Sequence, residues 1–303
     1  MERGDLFFFL FFIFVILSLI LYWFFPFQDM EFKISKSENY NFTLNSSVSE
    51  DIQFHKNMRY KDSKISYRIE KCTLKKTSDI LQAMEIIKEK TILDFYPVEK
   101  NEEIWITCDE NVKFEGNFFV AGEGGPTKII QSKNFNVIYE GAITLLRDSK
   151  CAEPVVALHE LLHALGFDHS QNPENIMYPI SRCNQKLGQD IQERINYLYS
   201  FPSYPDLAIE NASALMHGRY LDISVTIKNY GLQDTNESKL IIYADNKKLK
   251  EILVDPIQIG GGRVITLTNI LVLQTKIDNL QIFLEPNLFE LDINNNKLAL
   301  EVN

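Results

Sequence analysis

Apolar positions follow several different periods along this chain. From Leu6 to Phe25 (LFFFLFFIFVILSLILYWFF) 20 consecutive residues carry no charge. At 1.5 Å per residue a helix of that length spans a hydrocarbon core. Tyr22 and Trp23 fall near its end, where amphipathic rings favour the headgroup layer, and Pro26 predicts a stop. No small residue follows to form a cleavage site, so residues 1–27 read as an uncleaved transmembrane signal anchor. Residues 28–60 are polar, lack a sustained apolar period and read as a stalk or linker.

Beyond the stalk, Lys64 to Glu70 alternates as a strand does, and Ile80, Leu81, Met84 and Ile87 predict an amphipathic helix from Ser78 to Lys90. A strand follows at Glu103 to Cys108. Gly122, Gly124, Gly125 and Pro126 make Phe118 to Gln131 an irregular sheet edge or a loop. Strands fit Asn136 to Glu140 and Ala142 to Arg147, and helices fit Glu153 to Leu165 and Gln189 to Tyr199. Phe201-Pro202-Ser203-Tyr204-Pro205 then breaks all periodicity and predicts a domain boundary. After it Leu221, Ile223, Val225 and Ile227 alternate with polar residues. Short strands at Lys239 to Ala244, Arg263 to Leu267, Asn279 to Glu285 and Lys297 to Val302 complete a β-sandwich over residues 206–303.

Composition changes the picture in three ways. With 303 residues, 45% hydrophobic and 24% charged, the chain is globular and long enough for two cores. A net charge of −10 leaves no basic surface for phosphates, so nucleic acid is excluded as a partner. All four cysteines (Cys72, Cys108, Cys151, Cys183) follow the apolar span, an even count that suits pairing outside the cytosol, with three connectivities open. The reading is a single-pass protein of the cell membrane with a short amino terminus inside and the folded domains outside.

The chemistry lies in residues 159 to 169, HELLHALGFDH, which hold three of the five histidines. His159 and His163 are one helical turn apart, so their imidazoles share a face and can reach one metal. Gly166 can take the left-handed conformation that ends a helix, letting the chain bring His169 round as a third ligand. Three neutral imidazoles with an open fourth position suit a catalytic zinc. Glu160, beside that open position, is the candidate general base for a zinc-activated water, and together these parts serve peptide hydrolysis without a covalent intermediate.

This motif resembles that of the metzincin metallopeptidases, H-E-x-x-H-x-x-G-x-x-H followed by a methionine turn. Met177 fits the turn. Ser170 after the third histidine, Ile176-Met177-Tyr178-Pro179, the segment Leu187 to Tyr199, and upstream Ala83 to Phe95 with Ile104 to Cys108 are similar to matrixins, of peptidase family M10, over residues 61–200. The resemblance implies an α+β catalytic domain, a twisted sheet plus three helices, with a cleft across one catalytic zinc and endopeptidase activity on protein or peptide substrates. It also implies that Met177 forms a floor beneath the metal and that Tyr178 and Pro179 line the pocket for the residue after the scissile bond. No Pro-Arg-Cys-Gly stretch precedes Lys61, so latency by a cysteine on the zinc is not expected. His55 and His217 lie far from any cluster, which leaves a second, structural zinc without ligands, and calcium is left unassigned among Asp109, Glu110 and Glu123.

The carboxy-terminal segment, from Asp206-Leu207 through Ile223 to Asn229 and Glu290 to Asn295, resembles the immunoglobulin-like CARDB modules. Pairing of Cys151 with Cys183 would clamp the catalytic helix to the methionine turn, and Cys72 with Cys108 would staple the first helix to the strand after it. The reading is a membrane-anchored extracellular zinc endopeptidase whose sandwich is a spacer or docking module. The alternative is a surface adhesin with an inactive zinc domain. The oligomeric state is left open.

Overall fold

The computed structural model describes residues 3–24, 29–35, 44, 52–111, 113–116, 118–274 and 276–302. The chain forms two compact units, one of Met1–Asn41, Asp206–Asn229 and Thr235–Asn303, the other of Phe42–Pro205 with Tyr230–Asp234.

Helix α1 (Arg3–Phe24) covers most of the uncharged run, and the side chains described on it, residues 7–21, are solvent-exposed. No helix among the described residues is long and apolar enough to cross a membrane. Phe25 and Pro26 lie outside the described residues.

Two parts of the expected stalk are folded instead. Strand β1 (Asp29–Ile34) sits in the sandwich between β10 (Leu207–His217) and β16 (Lys297–Val302), antiparallel to both, with Phe32 buried at 2% exposure. Its apolar alternation covers only Met30, Phe32 and Ile34, and its partners are 182 to 270 residues away in sequence, so no local pattern announces it. Strand β2 (Met58–Tyr60) is wholly buried and pairs in parallel with β9 (Asn136–Leu145) of the other unit. The second unit therefore starts before residue 61, and the sandwich is not confined to 206–303.

In that second unit, helix α2 (Leu74–Lys90) starts four residues earlier than Ser78, because the Thr73 hydroxyl accepts from the Lys76 N–H at 3.3 Å and caps it. Its buried stripe, Ile80, Ala83, Met84 and Ile87, joins the core formed with the sheet. Lys76 is buried too, its amine donating to the carbonyls of Asp109 (3.2 Å) and Leu146 (3.3 Å). The sheet has the order β2-β9-β5-β3-β4, all parallel, where β3 is Lys64–Glu70, β4 Asp94–Pro97 and β5 Ile104–Cys108. Strand β9 is continuous across Gly141, where two strands are expected from sequence. Its other edge carries β8 (Gly122–Gln131), a ten-residue antiparallel strand; of the irregular sheet edge and the loop that the glycines and Pro126 left open, it is the irregular edge, with register shifts around Lys128. A small hairpin, β6 (Lys113–Glu115) and β7 (Phe118–Val120), precedes it. Helices α3 (Val155–Ala164) and α4 (Gln189–Tyr199) complete the unit.

Arg59 ties the end of this unit together. It is 1% exposed and has no carboxylate among its hydrogen-bond acceptors. Its guanidinium donates to the carbonyls of Leu198 (2.5 Å), Phe201 (3.0 Å), Lys61 (2.9 Å) and Tyr60 (2.9 Å) and lies 4.4 Å from the Tyr199 ring centroid. A cation on the last carbonyls of α4 complements the helix dipole, while burial lowers the Arg59 pKa. Arg59→Met is expected to strand these acceptors and cost roughly 3 kcal/mol, lowering the thermal midpoint by about 6–12 °C in calorimetry. A midpoint within about 2 °C of wild type would contradict this role.

The sandwich strands, with β11 (Tyr220–Asn229), β12 (Ser238–Ala244), β13 (Lys247–Val254), β14 (Gly262–Leu271) and β15 (Asn279–Glu285), run β13-β12-β15-β16-β1-β10-β11-β14, every pair antiparallel. Leu221, Ile223, Val225 and Ile227 of β11 point into one core with Leu240, Ile242, Leu280, Ile282 and Phe32. The sequence pattern marks β11, β12, β15 and β16 closely. It gives no strand at β13, whose Lys247-Lys248 and Lys250-Glu251 leave only Val254 buried.

Candidate active site

Helix α3 is buried along its whole length, which a core helix achieves only with apolar residues all round or with polar ones that have work inside. Its polar members are His159, Glu160 and His163. The helix ends in a Schellman turn: Gly166 has φ 94° and its N–H donates to His163 O (2.9 Å), while the Phe167 N–H donates to Leu162 O (3.0 Å). That turn reverses the chain and delivers His169, as the glycine spacing predicts.

The three Nε2 atoms converge. His163 Nε2 is 3.0 Å from that of His159 and 3.2 Å from that of His169, and the three ligand atoms lie within 4.8 Å of one another. The opposite ring nitrogens are engaged by backbone: His159 Nδ1–H donates to Ile176 O (2.7 Å) and His163 Nδ1–H to Phe167 O (2.8 Å). Carbonyls only accept, so both Nδ1 atoms hold the proton and both Nε2 atoms present lone pairs. Lone pairs facing each other at 3.0 Å repel unless a cation lies between them. Zinc fits this donor set: three converging imidazole nitrogens, two of them in the right tautomer and fixed by backbone partners.

Electrostatics support the same use. Burial, and then the neighbouring histidines, lower the His159 pKa to about 4 against the opposing pull of the Ile176 carbonyl, and burial also lowers that of His163. Both rings are therefore neutral, as metal ligands must be. Burial pushes Glu160 up to about 8, with the Glu123 carboxylate adding to the rise.

Glu160 is 6% exposed and lies beneath β8. A Cβ at Gly122 would fall 2.7 Å from Glu160 Cγ, and one at Gly124 would fall 2.2 Å from Glu160 O. Gly122 and Gly124 thus let the edge strand lie directly on the helix at the candidate base. Sequence reasoning read these glycines as irregularity; the signal it passed over is their spacing of two, which puts both on one face of a strand.

Met177 is buried at 1%, its N–H donates to Asn175 Oδ1 (3.0 Å), and its carbonyl accepts from the Ser170 N–H (2.8 Å), next to His169. With Ile176 O on His159, this turn holds two of the three histidine segments. Tyr178 is half-buried and Pro179 exposed. Cys72 is bonded to Cys108 and Cys151 to Cys183, with Cα separations of 4.9 and 5.2 Å, the pairing considered from sequence. The second bridge encloses the whole histidine motif and its methionine turn in one loop.

Comparison with known proteins agrees with this geometry. Residues 41–200 match the matrixin family (Peptidase_M10) and residues 204–299 match CARDB. The chain belongs to the matrixin family. The three-histidine cluster is where this matrixin could hold a metal ion. It is 48% identical over 50 residues to stromelysin-2 of Rattus norvegicus, a match covering 15% of this chain and 10% of that protein. Among solved structures, the CARDB domain of a Pyrococcus furiosus protein in complex with di-metal ions is 17% identical, with a TM-score of 0.27, covering 32% of this chain and 88% of that one.

One consequence concerns pH. Glu123 is exposed, paired with Lys113 at 2.7 Å, and its negative charge disfavours a second one on Glu160. Glu123→Gln removes that repulsion, so Glu160 ionises more readily and the acidic limb of kcat/KM is expected to move to lower pH, by less than about one unit. A limb that stays put or moves upward contradicts the coupling.

Proposed function

We propose that this matrixin is a zinc-dependent endopeptidase of the outer cell surface, held by its amino-terminal apolar helix, that cleaves extended protein segments. The observation that carries the reading is the convergence of three histidine Nε2 atoms, two of them on the helix that also carries the buried Glu160 carboxylate. His159, His163 and His169 would hold the metal. A zinc ion so held supplies Lewis acidity, making a water acidic and polarising the scissile carbonyl. Glu160, as general base, takes the proton of the attacking water on its carboxylate and passes it to the leaving amine. Among the described residues β8 pairs only with β9, so its outer edge is open to a substrate strand laid over Glu160. Met177 would form the floor of the site, and Tyr178 and Pro179 the pocket for the residue after the scissile bond. Anchoring rests on the uncharged run Leu6 to Phe25, and an oxidising location on the two disulfides.

The test is cleavage of a fluorogenic peptide library by the full chain beside Glu160→Ala, with zinc assayed on both. Internal cleavage by wild type alone, with about one zinc on each protein, is the expected result. Zinc without cleavage would favour the surface-binding alternative, and folded protein without zinc would sink the site assignment.

A further inference from the structure

Residues 52–54 lie in the stretch read as a stalk, yet they run antiparallel to the turn that delivers the third histidine. The Asp168 N–H donates to Ile52 O (2.9 Å), the Phe54 N–H donates to Gly166 O (3.1 Å), and Gln53 bridges Phe167 between them. The outer side of this short strap is anchored: Gln53 is 7% exposed, its Nε2 donates to Met58 O (2.8 Å), and its Oε1 accepts from the Met58 N–H (3.2 Å) and from Arg194 Nε (3.4 Å). Phe54 itself is 39% exposed, so little core burial explains an aromatic residue there. Its ring lies on the His163 imidazole, with centroids 5.5 Å apart and planes 25° apart.

We propose that Ile52–Phe54 is a positioning strap for the metal site, with Phe54 fixing the His163 ring and the paired backbone fixing the turn that presents His169. This rests on the zinc reading above. The His163 ring is held at one edge by its Nδ1–H bond to Phe167 O and over one face by Phe54. Phe167 is itself the residue that Gln53 bridges, so strap, turn and ligand form one connected unit. Partners that orient a ligating histidine typically change metal affinity by about 10–100-fold when removed. Removing the Phe54 ring frees the imidazole to tilt, with the backbone pairing of the turn kept and no loss of a ligand atom.

The full chain, Phe54→Ala and Phe54→Tyr are titrated with zinc against a chelator, alongside melting of the metal-free proteins. The expected result is a zinc affinity about 10-fold weaker in Phe54→Ala and close to wild type in Phe54→Tyr, with metal-free midpoints within about 2 °C of each other. Equal affinities in wild type and Phe54→Ala overturn the proposal. So does a loss of affinity shared by Phe54→Tyr, or one matched by a fall in the metal-free midpoint, which marks a merely structural residue. Phe54 also lines a cavity of about 800 Å³ with His55, Lys56, Ile129 and Gln131. A change confined to KM, with zinc affinity intact, would make the ring a substrate wall and likewise overturn the proposal. Failure of the wild type to bind zinc at all is separately visible and strikes the functional reading itself.

Discussion

Glu160→Gln is expected to remove most cleavage and, in the metal-free protein, to raise stability. The first effect follows from losing the proton acceptor, worth about 10²–10⁴-fold in rate. The second follows from burial. The folded-state pKa of Glu160 is raised to about 8 from an ordinary 4.5. A raised folded-state value means that its contribution to stability is fully present below the unfolded value and is lost as pH rises through 8. Above that pH the loss is on the order of 3–5 kcal/mol at most. Glutamine carries no charge to bury, so the difference between variant and wild type should be near zero at pH 4 and grow to its full size by pH 9. His159 acts in the opposite sense: its pKa is lowered to about 4, so its contribution is present above its unfolded value near 6.5 and is lost as pH falls through 4. Both variants share that acid limb, which therefore cancels in the comparison. Bound metal places positive charge near Glu160 and favours its ionised form, so the advantage of glutamine should shrink when zinc is restored. Thermal melts of chelator-treated wild type and Glu160→Gln at pH 4, 7 and 9 measure this. A variant less stable than wild type at pH 9 would falsify the burial argument.

The site was legible in the sequence where its geometry is local. The separation of His159 from His163 is one helical turn, and Gly166 forms the turn its residue type allows, so three candidate ligands and a candidate base could be named from eleven consecutive residues. What orients them was not legible. Ile176 O and Phe167 O act through the backbone, which carries no residue-type signal, and Phe54 reaches His163 across 109 positions of sequence. The same division holds for the fold. Strand β11 alternates without a break and was read from its pattern, whereas β1 has six residues and acquires its identity from β10 and β16. Strand β8 was read only as an irregular sheet edge or a loop, the two left open because glycine and proline signal a loop on average; it is the irregular edge. Here the two glycines satisfy a contact with another element, and Pro126 sits at a register shift where the ladder does not need its missing N–H.

That contact makes Gly124→Ala the substitution expected to damage both stability and rate. The added methyl would stand 2.2 Å from Glu160 O and 2.9 Å from Glu160 C and Cα, atoms of a helix backbone that cannot rotate away. The strand cannot retreat freely either, because Gly124 is registered against Ile143 of β9 with paired residues on both sides of it. Overpacking of this kind costs about 1–3 kcal/mol, and lifting β8 by about 1 Å over Glu160 should cost about 10²-fold in cleavage. Two neighbours separate the causes. Gly122→Ala meets only side-chain atoms, Glu160 Cγ at 2.7 Å and Oε1 at 3.0 Å, so it should displace the base and lower kcat with a smaller loss of stability. Gly125→Ala meets nothing within 4 Å and should leave both near wild type. Cleavage rates and melting midpoints for the three variants check this order. If Gly125→Ala proves as harmful as Gly124→Ala, the strand requires glycine for its own backbone and not for its contact with the helix.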